Sequence, residues 1–99
     1  MILSWFDATE AKKFGDALAH FFVEKIPPAS QIGDKAFAQK SDKVLHQMAD
    51  QVSRFKLTNK LNTYKKAQLG SAFKWSLIDA GIGPEYADDL TKWLMLRLG

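Results

Sequence analysis

Residues 35–56 read KAFAQKSDKVLHQMADQVSRFK, and the spacing of the apolar positions in this stretch decides the fold class. Phe37, Val44, Leu45, Met48, Val52 and Phe55 recur at steps of three and four. At 100° per residue they fall in one sector about 100° wide. Lys40, Lys43, His46, Gln47, Asp50 and Arg54 occupy the rest of the wheel, where a helix lying on a core keeps its solvated side chains. The spacing predicts an amphipathic helix with Val44, Leu45, Met48, Val52 and Phe55 buried.

Upstream, Asp7-Ala8-Thr9-Glu10 has the form of a capping box: the Asp7 carboxylate would take up free backbone N–H groups and Glu10 would reach back. Ala11, Phe14, Leu18, Phe21 and Phe22 follow as one apolar face. That helix is expected to stop near Lys25, because Pro27 pushes Ile26 out of helical geometry and Pro28 extends the break. Ile26 to Gly33 is the only long connection. Downstream, Leu57, Leu61 and Tyr64 share one face, whereas Leu69, Phe73, Leu77 and Ala80 define another, turned by well over a quarter of the wheel. Thr58, Asn59, Asn62 and Thr63 are indifferent helix formers and Gly70 is a poor one, so a break or kink is expected between Leu57 and Gly70. Gly81 suits a left-handed helix end, and Pro84 suits the first position of a last helix running to about Arg97, with Glu85, Asp88 and Asp89 near its positive end.

No segment alternates with a period of two over strand length, and no Asn-Gly or Asp-Gly hairpin signal occurs. The expectation is an all-α fold: one domain over residues 1–99, a compact, bundle-like arrangement of four helices with mainly antiparallel neighbours. A length of 99 residues fits one domain, and 46% hydrophobic residues suffice for one core. The absence of cysteine excludes disulfides, thiol nucleophiles and cysteine-based metal sites. No apolar run approaches the roughly 20 residues of a transmembrane helix. Met1 to Phe6 lacks the basic start and longer apolar run of a signal peptide, which gives a cytoplasmic expectation.

Charge is the most uneven feature. The net charge of +3 is mild, but residues 1–34, 35–74 and 75–99 carry −2, +7 and −2. No carboxylate lies between Asp50 and Asp79, whereas Arg54, Lys56, Lys60, Lys65, Lys66 and Lys74 do, among Phe55, Tyr64, Phe73 and Trp75. Basic groups with aromatics and with Asn59, Asn62 and Gln68 are what a phosphate-contacting surface uses, so these six cations are the candidate site for nucleic acid or another polyanion. On one continuous helix they would scatter over most of the wheel. The alternative is a solvated face balanced by the acidic first and last helices.

Catalytic and metal constellations are weak. The turn from Gly81 to Glu85 has the outline of a helix-turn-helix, but Glu85, Asp88 and Asp89 would repel DNA where base contacts are needed. Asp16, His20 and Glu24 lie in one row, yet ligands on successive turns of a straight helix span too far to close round one ion. His46 lies opposite the apolar face of its helix. Ser71 after Gly70 is no nucleophile elbow, and Gly81-Ile82-Gly83-Pro84 lacks phosphate-loop spacing. No catalytic, cofactor-binding or metal-binding residue is assigned, and the expectation is a protein that is not an enzyme.

The last helix carries surplus apolar surface. Tyr86, Leu90, Trp93 and Leu94 make one face, and Met95, Leu96 and Leu98 continue it round the far side. Ile2, Leu3, Trp5 and Phe6 are too apolar for a free tail. Either this arm docks over the last helix of the same chain, or Trp5, Met95, Leu96 and Leu98 bind a protein partner or a second copy. The leading functional expectation is therefore a non-enzymatic helical interaction or self-association module. Polyanion binding through residues 54–74 is its rival.

Overall fold

Backbone N–H groups at a helix start need acceptors. The computed structural model describes residues 6–26 and 35–99, the side chains of 35–40 excepted. Helix α1 spans Thr9–Lys25, α2 Lys35–Thr58, α3 Thr63–Asp79 and α4 Pro84–Leu98; no strand occurs among the described residues. The described residues form an all-α, four-helix domain.

At the start of α1 the expected capping box does not close. The Asp7 carboxylate accepts from the Thr9 N–H at 3.1 Å and from the Thr9 hydroxyl at 2.7 Å, which leaves Ala8 as N-cap. Glu10 lies 3.8 Å from Lys13 Nζ on the helix surface. The Thr9 hydroxyl competes for the carboxylate and shifts the start by one residue. The far end of α1 stops at Lys25 as expected, with the Ile26 N–H bonded to the Phe22 carbonyl at 2.8 Å and Ile26 itself buried.

The expected break after α2 falls at residues 59–62, where both asparagines act as caps. Asn59 closes α2 by donating its N–H and its side-chain amide to the Phe55 carbonyl at 2.9 and 3.2 Å. Asn62, in extended backbone geometry, starts α3 by accepting from the Lys65 N–H at 2.8 Å. Between α3 and α4, Gly81 adopts φ 101°. Its N–H donates to Ile78 and that of Ile82 donates to Leu77, both at 3.0 Å. This is a Schellman ending, and its apolar partners Leu77 and Ile82 are both buried. Pro84 then opens α4.

Side-chain pairings give the helix directions. Phe14 of α1 stacks on Phe55 of α2, with ring centroids 4.2 Å apart, while the start of α1 faces the end of α2; these two helices are antiparallel. Lys74 of α3 lies 3.5 Å from Asp88 of α4, and Gly70 faces Met95, so α3 and α4 are antiparallel too. The most extensive packing, however, joins α1 to α3. These two run parallel, with Phe6 edge-on to Tyr64 at 5.4 Å at one end and the Asp16 carboxylate accepting from the Ser76 hydroxyl further along.

Gly15 permits that approach. A Cβ there would sit within contact distance of the Leu69 carbonyl group and 3.2 Å from the Phe73 nitrogen, all backbone atoms. Ala11 and Ala19, one turn to either side, are buried with it.

The core is centred on Leu18 and Phe22 of α1, Met48 and Val52 of α2, Leu69, Phe73 and Leu77 of α3, and Leu94 and Leu98 of α4. Of the α2 residues expected to be buried, Val44, Met48 and Val52 are, whereas Leu45 and Phe55 flank the core half-buried. Phe37 lies outside the described side chains. The radius of gyration is 13.7 Å, near the roughly 13 Å of a compact domain of this length.

Candidate functional site

The break at residues 59–62 re-phases α3 against α2, and this decides where the lysines go. Lys56 ends α2, Lys60 lies in the connection, and Lys65 and Lys66 open α3. Two clefts meet here and share Asn59, Lys60 and Leu61. One, of about 400 Å³, is bounded by Lys56, Lys60 and Lys66, with Leu61, Leu98 and Gly99 beside them, and no acidic side chain lines it. The other, of about 320 Å³, sets Lys60 and Lys65 opposite Asp7 and Glu10 over Ala11 and Phe55.

Lys56 Nζ also donates to the Arg97 carbonyl at 3.1 Å. It thus offsets the partial negative charge at the end of α4. None of Lys56, Lys60, Lys65 and Lys66 forms an ion pair with a carboxylate among the described residues.

The remaining two cations of the basic segment stand apart. Lys74 is paired with Asp88 and lies 6.0 Å from the centre of the Trp75 ring. Asp88 is also 3.2 Å from Lys92 Nζ, and these lysines, Lys92 foremost, hold its carboxyl below the usual carboxylate range. Arg54 is exposed on α2 and lines neither cleft. The Asp7 carboxyl is likewise held down, chiefly by the Thr9 hydroxyl and N–H, with Lys65 adding to the effect.

The apolar candidates are distributed differently. Met95 rests on Gly70 of α3, and Leu98 is 1% exposed in the core. Leu96 stays 83% exposed, and Trp5 lies outside the described residues. The second surface expected for α4 is thus supplied at Met95 by α3, because Gly70 leaves room for the thioether. Leu57, which shares a face with Leu61 and Tyr64 by spacing alone, is 85% exposed at the end of α2.

The histidines sit in surface positions. His20 is exposed, and its row is opened by Asp16, whose carboxylate turns to Ser76. His46 Nδ1 lies 2.8 Å from the Asp42 carbonyl oxygen, one turn back on the same helix. No cluster of three or more metal-ligating side chains occurs among the described residues, and no helix there is long and apolar enough to cross a membrane. Comparison with known protein families, curated proteins and solved structures finds no match to this chain. The fold and the clefts therefore define only a class: a small all-α protein with a lysine-lined cleft at one helix junction.

Proposed function

We propose that this chain is a cytoplasmic, non-enzymatic helical module that binds a polyanion through the lysines gathered at the α2–α3 junction. The observation that carries the reading is the larger cleft, where Lys56, Lys60 and Lys66 line one concavity with no acidic side chain among them. Three cations line this cleft, and Lys65 stands in the adjoining one opposite Asp7 and Glu10. Fluorescence anisotropy with a labelled oligonucleotide should therefore show affinity falling by about one and a half decades between about 50 and 200 mM salt. Lys60→Gln, Lys65→Gln and Lys66→Gln should flatten that dependence, whereas Lys74→Gln, already paired with Asp88, should leave it unchanged. Absence of binding at the low-salt end, for this oligonucleotide and for a short oligophosphate alike, removes the proposal.

A second reading, a protein-interaction or self-association module, is favoured by one observation. Leu96 presents a large apolar side chain to solvent on a helix whose other apolar residues are engaged within the chain. Leu96→Asp should then abolish a concentration-dependent dimer in light scattering and cost under about 0.5 kcal/mol of stability, since it alters an exposed position. A chain that scatters as a monomer at every concentration ends the self-association form of this reading.

A further inference from the structure

Resting on the polyanion reading, we propose that the larger cleft takes a compact, multiply charged phosphate group, such as a short oligophosphate, and not the flank of a nucleic-acid duplex. Size is the first reason. A concavity of about 400 Å³ falls in the small-ligand range of roughly 300–1,000 Å³.

Charge layout is the second. A duplex carries one negative charge per roughly 1.7 Å of axis and needs a basic track to follow. Here the positive surface is interrupted on one side. Lys60 and Leu61 form the partition between the two clefts, and beyond them stand Asp7 and Glu10. A long polyanion continuing in that direction would run onto two carboxylates. In another direction Lys74 is neutralised by Asp88 and adds no contact. The cations thus converge on one spot.

Donor chemistry is the third. Lysine ammonium groups are compact charges with rotatable donors, which suit tetrahedral phosphates entering in several orientations. The lysines come from the end of α2, the connection and the start of α3, and Leu98 brings the end of α4 to the same wall. A bound oligophosphate therefore ties the end of α2 to the start of α3 and stabilises the folded chain.

The test uses the full chain with inorganic tripolyphosphate, read by calorimetric titration and by thermal melts at matched ionic strength. A blunt duplex without terminal phosphates serves as the comparison. We expect saturable one-to-one binding of tripolyphosphate with a raised Tm. Affinity should fall about tenfold in Lys66→Gln, the loss of one charge-assisted contact, and should be restored in Lys66→Arg. Arg54→Gln and Lys74→Gln should bind as the parent does. Binding of the duplex without binding of tripolyphosphate would overturn the compact-ligand inference while leaving the polyanion reading in place. Failure of both ligands would remove both. Equal losses in Lys66→Gln, Arg54→Gln and Lys74→Gln would overturn the cleft as the site.

Discussion

Gly15→Leu is expected to leave the chain without its native fold, and Gly15→Ala to lower its stability by a net 1–3 kcal/mol or so. The net value already contains an opposing gain, since alanine favours a helix interior by about 1 kcal/mol over glycine. The loss arises because a Cβ at this position meets backbone atoms of Leu69 and Phe73, which cannot rotate away as a side chain would. Relief requires α1 and α3 to move apart, and that movement opens voids around Leu18, Phe22, Leu69 and Phe73, all fully buried. Gly70→Ala meets only the Met95 thioether, a flexible neighbour, and should cost less. Gly83→Ser adds an N-cap acceptor where nothing crowds a Cβ, so it should be neutral or gain a few tenths of a kcal/mol. Denaturant melts of Gly15→Ala, Gly70→Ala and Gly83→Ser check the order. A Gly15→Ala protein as stable as Gly83→Ser would mean that α1 and α3 do not lie this close.

Such an approach is the part of the fold that apolar periodicity does not reveal. The pattern over residues 35–56 locates α2 because burial of one face is written directly into the spacing of Val44, Met48 and Val52. Gly81 and Pro84 punctuate the α3–α4 turn for an equally local reason, the left-handed φ and the fixed proline φ. Which helix covers which face is not local. In α1 the face read from hydrophobicity holds at Ala11, Leu18 and Phe22, which are buried, while Phe14 and Phe21 flank the core half-buried and the buried surface continues through Gly15 and Ala19. Residue size sets that continuation of the face. The signal was present as small residues at spacing four, Ala11, Gly15 and Ala19.

The site depends on a comparable local detail. Six cations on one continuous helix scatter, and only the helix break brings Lys56, Lys60 and Lys66 to one cleft. The residues that make the break, Asn59 and Asn62, were legible as poor helix formers, but their action as caps at the end of α2 and the start of α3 fixes the change of phase. The sequence also carries no indication that Lys74 is spent on Asp88, because those residues are 14 positions apart and meet only through the antiparallel pairing of α3 and α4. Surplus apolar surface on α4 was legible as surplus. Its resolution into a packed Met95, a buried Leu98 and an exposed Leu96 required knowledge of Gly70 as the receiving surface.

Met48→Ala should cost about 2–5 kcal/mol, and His46→Ala, two residues away on the same helix, under about 0.5. Met48 has no solvent exposure and sits between the buried Val44 and Val52, so its removal loses both transfer free energy and the packing of the cavity left behind. Because α2 meets the rest of the domain through side chains of this one stripe, the surrounding helices can close that cavity only by moving α2 as a body. His46 faces the opposite way, and its ring is satisfied by Asp42 on its own helix, an exposed contact of small value. Phe55→Ala should fall near the lower end of the Met48 range, since the ring stacks on Phe14 but is already partly wet. Urea midpoints at constant m-value measure all three. Against a domain stability of order 5–15 kcal/mol, the Met48 loss is a large share, enough to separate it clearly from His46. Equal losses at Met48 and His46 would mean that α2 is rotated about its axis, with a different face against the core.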